Sequence, residues 1–255
     1  MKYIQSSKNP IVKQWKKLLT KKERDLTRTY IIEGFHLVEE ALKQDGVVQE
    51  LIVVEGVEVP RTFEAESITT VSAEVGSLLA DTETTQGIFA ICRQQEREED
   101  IVEASTFLLL DGLQDPGNIG TIIRTADAAG IDMVVLGKGT VDPYNQKVLR
   151  SAQGSHFHLP IVRMDLEELI PELQERGIPV YGTALENGVE YTGVEPAASY
   201  ALIMGNEGNG MSPHTLKMTD QNLYIPIYGQ SESLNVAIAA GILMYHFNQK
   251  TPKRV

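Results

Sequence analysis

The chain has 255 residues, of which 42% are hydrophobic, enough for one large or two small cores, and two domains are expected. No apolar run reaches the ~18 residues that a membrane-crossing helix needs, and the start, MKYIQSSKNP, lacks the apolar core of a signal peptide, so a cytoplasmic protein without a membrane partner is expected. The single cysteine, Cys92, forbids an internal disulfide and fits a reducing compartment.

The net charge of −12 is unevenly spread. Residues 1–28 carry nine basic side chains (Lys2, Lys8, Lys13, Lys16, Lys17, Lys21, Lys22, Arg24 and Arg28) against Glu23 and Asp25, a balance of +7, which leaves −19 on the other 227 residues. A basic arm on an acidic body is what confined phosphate contacts produce. Ile11, Trp15, Leu18 and Leu19 recur at helical spacing in the same stretch, so the lysines equally suit the wet face of an amphipathic helix. The two explanations are compatible.

Strand and helix patterns then alternate: TYIIEG from Thr29, FHLVEEALKQ from Phe35, ELIVVE from Glu50, ITTVS from Ile68, a short helix near Val75 to Ala80, and GIFAIC from Gly87. That suits a compact α/β layer structure over residues 1–95. In RQQEREED, Arg93 to Asp100, six of eight residues are charged, which places a linker at 96–105. A second domain over 106–255 follows, with apolar runs FLLLD at Phe107, VVLGKG at Val134, HFHLPIV around Phe157, IPVYGTAL around Val180, YALIM at Tyr200 and NLYIPI at Asn222, and a helix near Leu166 to Arg176.

Three segments of this domain stand apart: Gly112 to Gly130 (GLQDPGNIGTIIRTADAAG), Gly205 to Gly210 (GNEGNG) and Ile225 to Gly241 (IPIYGQSESLNVAIAAG). Each lies at the end of an apolar run, where open α/β sheets hold nucleotide-like ligands. In the first, Asp115-Pro116-Gly117 reads as a turn, with Asn118 placed to cap a helix that ends at Gly130. Arg124 lies on that helix with Asp127 three residues on, the spacing of a solvated ion pair. The second is a tight loop whose glycines let backbone approach a ligand. In the third, Ser233 is placed to cap an almost uniformly apolar helix, where Ala237, Ala239, Ala240 and Gly241 permit close backbone approach. The Rossmann, Walker and nucleophile-elbow patterns are absent. His156 and His158 alternate on an expected strand without a third ligand, so no metal site is expected.

In this order and spacing, the three segments resemble the motifs of the SpoU (TrmH-type) branch of the SPOUT RNA methyltransferases, from about Phe107 to Asn248. Residues 1–92 more loosely resemble the small ribosomal-protein-like substrate-recognition domain that precedes the catalytic domain in many members. The resemblance implies an α/β fold with a SPOUT-type knotted (trefoil) parallel sheet. It further implies S-adenosylmethionine as cofactor, a homodimer formed through the helix Asn235 to Phe247, and 2′-O-ribose methylation of RNA, rRNA before tRNA. Carried over by position, Asn118, Arg124, Glu207, Ser233 and Asn235 are catalytic, and Gly205, Ile225 and Leu234 hold the cofactor. Ile227 and Ala237 depart from the family's usual methionine and serine. Two other classes compete. A catalytically silent ribosome-assembly factor on this fold would have lost a polar motif residue, and all five are present; a Rossmann oxidoreductase would open on a different glycine pattern.

Overall fold

The computed structural model describes residues 2–65, 67–95, 97–185 and 187–248. It divides into two compact units, Met1–Gln95 with Tyr144–Phe157, and Glu96–Pro143 with His158–Val255. No helix among the described residues is long and apolar enough to cross a membrane.

In the first unit, β1 (Lys2–Ile4), α1 (Pro10–Lys17), α2 (Lys21–Thr27), β2 (Thr29–Glu33), α3 (Phe35–Leu42), β3 (Val48–Val54), β4 (Ile68–Val71), α4 (Ala73–Leu79) and β5 (Ile88–Arg93) follow in order. Their strands make one mixed sheet, β1-β4-β3-β5-β2. Side chains alternate across a strand, so Tyr30 and Ile32 enter one apolar layer with Leu37 and Val38, while Ile31 enters the other with Val12, Trp15 and Phe89. The basic arm is the outer skin of the second layer. Val12, Trp15 and Leu18 are buried, whereas Lys13, Lys16, Lys17, Lys21 and Lys22 face solvent. The Trp15 indole donates to Glu50 Oε2 (3.2 Å), whose other oxygen takes the Thr69 hydroxyl (2.7 Å). Arg24 differs from the other basic residues of the arm in being buried, and it donates to the Leu18 carbonyl (2.8 Å).

Continuing along the chain, β6 (Thr106–Asp111), α5 (Pro116–Ala129), β7 (Met133–Leu136), α6 (Gln146–Ala152), β8 (Ile161–Arg163), α7 (Leu166–Glu175), β9 (Val180–Thr183), β10 (Gly188–Glu190), β11 (Tyr200–Gly205), α8 (Pro213–Met218), β12 (Gln221–Tyr224) and α9 (Val236–Phe247) complete the fold. All but α6 lie in the second unit. Its seven strands are parallel throughout, in the order β10-β12-β9-β11-β6-β7-β8. β7 and β11 are buried at every residue and β6 at all but its last, the continuous apolar pattern of strands covered on both faces. Phe247 at the end of α9 packs on Tyr181 and Tyr200, with ring centroids 5.0 and 5.2 Å apart.

Three local expectations give way to packing. Residues Tyr144–Phe157 group with the first unit rather than with the strands that flank them, because Leu149 and Phe157 enter its core and the Gln146 side chain donates to the Ile31 carbonyl (2.8 Å). The later part of the expected linker, 96–105, is anchored: Ile101 and Ala104 join the second unit's core, and Arg176 donates to their carbonyls (2.9 and 2.7 Å). Around Phe157 a 3-10 turn, Ser155–Phe157, replaces the expected strand, which begins only after Pro160.

Candidate active site

The site assembles at the C-terminal ends of β6 and β11, adjacent strands in register from Tyr200 opposite Thr106 to Gly205 opposite Asp111. The N-cap of α5 is Asp115, which accepts from the Asn118 amide (2.8 Å), with Pro116 at the first helical turn and Gly130 closing the helix at φ 71°. This corrects the expectation that Asn118 is the cap. With Asp115 in that role, the Asn118 side chain is released to work across the site. Likewise the cap of α9 is Asn235, not Ser233: its Oδ1 accepts from Ala237 and Ile238 (2.9 and 3.3 Å). Ser233 instead offers its carbonyl to the Ser231 hydroxyl (2.8 Å).

The freed amides form a relay between the three motifs. Asn235 Nδ2 donates to Asn118 Oδ1 (3.0 Å), and Asn118 Nδ2 donates to Glu207 Oε1 (3.3 Å). Glu207 Oε1 also accepts from the Asp115 amide (3.0 Å), and Oε2 from the Gln114 amide (3.1 Å). Partial burial pushes this carboxyl up; donation from the backbone of Gln114, of Glu207 itself and of Asp115, and from Asn118, outweighs it and holds the group below the usual carboxylate range. Glu207 is therefore ionised at neutral pH with both oxygens engaged. Such a group locks loops together and makes a poor proton acceptor.

The Gly205–Gly210 loop is closed by a two-way backbone pair between Asn206 and Gly210, 2.9 Å in each direction. A Cβ on Gly205 would lie 2.2 Å from the Met211 nitrogen and 2.4 Å from the Gly210 carbonyl carbon, so only glycine fits. Asn206, which sequence reasoning passed over, holds the loop's shape. Its Oδ1 accepts from Gly208 and Asn209 (3.0 and 3.1 Å), and its Nδ2 donates to the Gly112 carbonyl (2.8 Å). The signal for it was an asparagine two residues before a loop glycine, the pattern of a side chain that mimics a backbone turn.

Beneath these loops lies a cavity of about 630 Å³. Gly205, Ile225, Leu234, Asn118, Glu207, Ser233 and Asn235 all line it. Apolar walls come from Met204, Leu223, Val236 and Leu243, and its charged lining side chains are Glu207 and Glu232. Seven of the eight expected site residues thus share one cavity. The eighth, Arg124, lies six residues beyond Asn118 on α5, roughly 9 Å along the helix axis, exposed and, among the described residues, without a hydrogen bond or ion pair. The expected Asp127 partner faces His158 Nδ1 instead (3.0 Å). His156 and His158 share no strand face: one belongs to the first unit and the other to the second.

Residues 105–245 match the SpoU rRNA Methylase family, and residues 9–90 match the MRM3-like substrate binding domain. The chain is 54% identical over 247 residues to the 23S rRNA (guanosine(2553)-2′-O)-methyltransferase RlmP of Bacillus subtilis, spanning 96% of this chain and 99% of that one. Among solved structures it resembles an AdoMet-bound rRNA methyltransferase from Sinorhizobium meliloti (TM-score 0.87, 32% identity, 96% of each chain). It also resembles the SpoU methyltransferase AviRb from Streptomyces viridochromogenes with AdoMet (TM-score 0.86, 25% identity, 95% of this chain and 98% of that one). With its three motifs joined in one relay and its sequence matched over both domains, the chain belongs to the SpoU rRNA methylase family.

Proposed function

We propose that this chain is an S-adenosylmethionine-dependent 2′-O-ribose methyltransferase of large-subunit rRNA, acting on the guanosine that corresponds to position 2553 of 23S rRNA. The observation that carries it is the Asn235–Asn118–Glu207 relay over a half-apolar cavity, on a chain 54% identical to RlmP across almost its whole length. The cavity suits the cofactor. Its apolar walls fit an adenine ring, the backbone of the Gly205 loop and of the Ile225 to Leu234 segment offers hydrogen bonds, and the lining carboxylates complement a cationic sulfonium and ammonium. When bound, the cofactor supplies an activated methyl group that a 2′-hydroxyl attacks in line.

The protein's contribution is to orient two reactants and stabilise the charge that develops. We assign Asn118, Glu207 and Asn235 to fixing the loops around the cavity, and Gly205, Ile225 and Leu234 to holding the cofactor. Ser233, on the same wall, orients the ribose end of the site. Arg124, unpaired among the described residues, grips the RNA phosphate beside the reacting ribose and meets the developing alkoxide charge. Arginine stays protonated in proteins, and Glu207 is saturated with donors, so the proton passes to phosphate or water. The basic arm of the first unit, whose α1 and α2 lysines face solvent, is the proposed rRNA docking surface. The homodimer is formed through α9, whose Ile238 and Tyr245 are 56% and 58% exposed. The trefoil knot is supported by the chain's return: β12 pairs beside β9, yet α9 packs back against α5 and β11. All of this belongs in the cytoplasm, where rRNA is the partner.

The test is direct. In RNA from a deletion strain, mass spectrometry reads which nucleotide loses its 2′-O-methyl group. An unchanged large-subunit rRNA together with an altered tRNA would move the substrate to the tRNA class.

A further inference from the structure

Tyr228 lies directly after Ile227, a wall of the cavity, and before Gly229, in the segment between β12 and α9. It is the most exposed large hydrophobic residue of the described chain, with 92% of its surface open to solvent. Among those residues it makes no hydrogen bond or ring contact, so nothing within the fold requires an aromatic there. Glu232, Ser233 and Leu234, a few residues on, return to the cavity wall. Tyr228 thus lies between two stretches of the cavity wall, Ile227 before it and Glu232 to Leu234 after it, with its ring open to solvent.

We infer that Tyr228 is the platform on which the nucleobase of the acceptor nucleotide stacks while its ribose enters the site; this rests on the rRNA methyltransferase function proposed above. Its physical basis is an exchange. A ribose buried in a cavity beneath backbone loops cannot keep its base stacked within an RNA helix, so the base is unstacked and some surface must replace its former neighbours. An aromatic side chain does this without selecting by hydrogen bonding, and a purine gives the largest overlap. The residues of this segment that line the cavity, Ile225, Ile227 and Leu234, are aliphatic, and the charged lining groups are carboxylates that repel a phosphate backbone. Tyr228 is the aromatic residue of the segment between β12 and α9, and unlike Tyr224 on the cavity wall its ring is fully open to a base.

Stacking of one base on an aromatic residue corresponds to about a 5- to 150-fold change in binding. Full-length protein is assayed on unmodified transcribed 23S rRNA. Tyr228→Ala is expected to raise KM for RNA by a factor in that range with kcat changed less than about threefold and S-adenosylmethionine affinity unchanged. Tyr228→Trp recovers most of the loss and Tyr228→Leu, similar in apolar area, does not. A control, Val102→Ser, removes a comparably exposed apolar residue elsewhere and leaves KM unaltered. A second readout uses RNA carrying 2-aminopurine at the target position: its fluorescence is quenched by the wild type and stays bright with Tyr228→Ala. Wild type that methylates this RNA alongside an unimpaired Tyr228→Ala enzyme overturns the stacking role alone. Rescue by leucine, or a shift of the Tyr228→Ala protein in sedimentation, overturns it in favour of a protein contact. Wild type that leaves 23S rRNA unmethylated sinks the proposed function itself.

Discussion

Replacing Glu207 by glutamine separates positioning from proton transfer at this site. The carboxylate accepts from the Gln114 and Asp115 amides on different oxygens and from Asn118 on one of them. Glutamine keeps one acceptor oxygen and turns the other into a donor facing a donor, so at least one bond is lost and one pair repels. A hydrogen bond to a charged group contributes about 1.5–3 kcal/mol; Glu207 is exposed, and solvent screening reduces that to about 1–2 kcal/mol. For a chain of this size the melting temperature should fall by about 2–8 °C. If the whole loss is felt in the transition state, the methylation rate falls by about 5- to 30-fold. The pH dependence carries the sign. Because the folded carboxyl is held below its ordinary range, its stabilisation is present above that range and is lost as pH falls through the depressed value. The melting difference between wild type and Glu207→Gln should thus be constant from pH 6 to 8 and shrink in acid. Single-turnover rates across pH 6–9 should give profiles of the same shape for both proteins. A wild-type acid limb that disappears in the variant, with unchanged melting, would make Glu207 the general base and refute the positioning role.

Gly205→Ala drives a Cβ onto backbone atoms at 2.2 and 2.4 Å, so it should cost about 1–3 kcal/mol in stability and abolish cofactor binding measurable by calorimetry; retained binding would show that the loop does not hold the cofactor. Neutralising Lys13, Lys16, Lys17, Lys21 and Lys22 together should flatten the salt dependence of rRNA affinity by ~0.7 to 0.9 for each phosphate the arm no longer neutralises, and an unchanged slope would make the arm a solvated face. Ile238→Glu with Tyr245→Glu charges the open face of α9 and should yield a soluble monomer by sedimentation. Ala240 is no substitute, because it is fully buried in its own unit and a charge there would unfold the helix. Arg124→Lys should lower single-turnover methylation by ~10² to 10³ while keeping cofactor affinity within about tenfold, since a point charge cannot copy a planar fork.

Much of this molecule was legible because its signals are local. Short apolar runs such as FLLL of β6 and YALIM of β11 read as strands, and their glycine- and asparagine-rich ends marked the site. What was illegible depended on competition between neighbours. Asp115 and Asn118 are both good caps, and sequence does not say which oxygen meets the open amides; the chain chose Asp115, and that choice freed Asn118 for Glu207. Ser233 lost to Asn235 in the same way. The helix α9 is almost uniformly apolar, yet its Ile238 and Tyr245 remain open, which is the pattern of a face awaiting a partner. Residues Tyr144–Phe157 carry Leu149 and Phe157 into the first unit's core by long-range packing that periodicity does not encode.

The distribution of charge makes a division of labour between the two units physically reasonable. The second unit presents carboxylates at its cavity, with Arg124 unpaired nearby among the described residues, and the rest of the chain outside the arm is strongly acidic. Such a surface gains little from RNA at a distance, so under the proposed function encounter and grip are assigned to the lysines of α1 and α2, through contacts made equally in the bound ground state and in the transition state. Interactions of that kind lower KM and leave the chemical step alone. In the role proposed for it, Arg124 works the other way: its field matters most when alkoxide charge develops. Lysine substitutions in the arm should therefore act on KM, and Arg124→Lys on kcat. A change in kcat from the arm would mean that docking also shapes the reacting geometry.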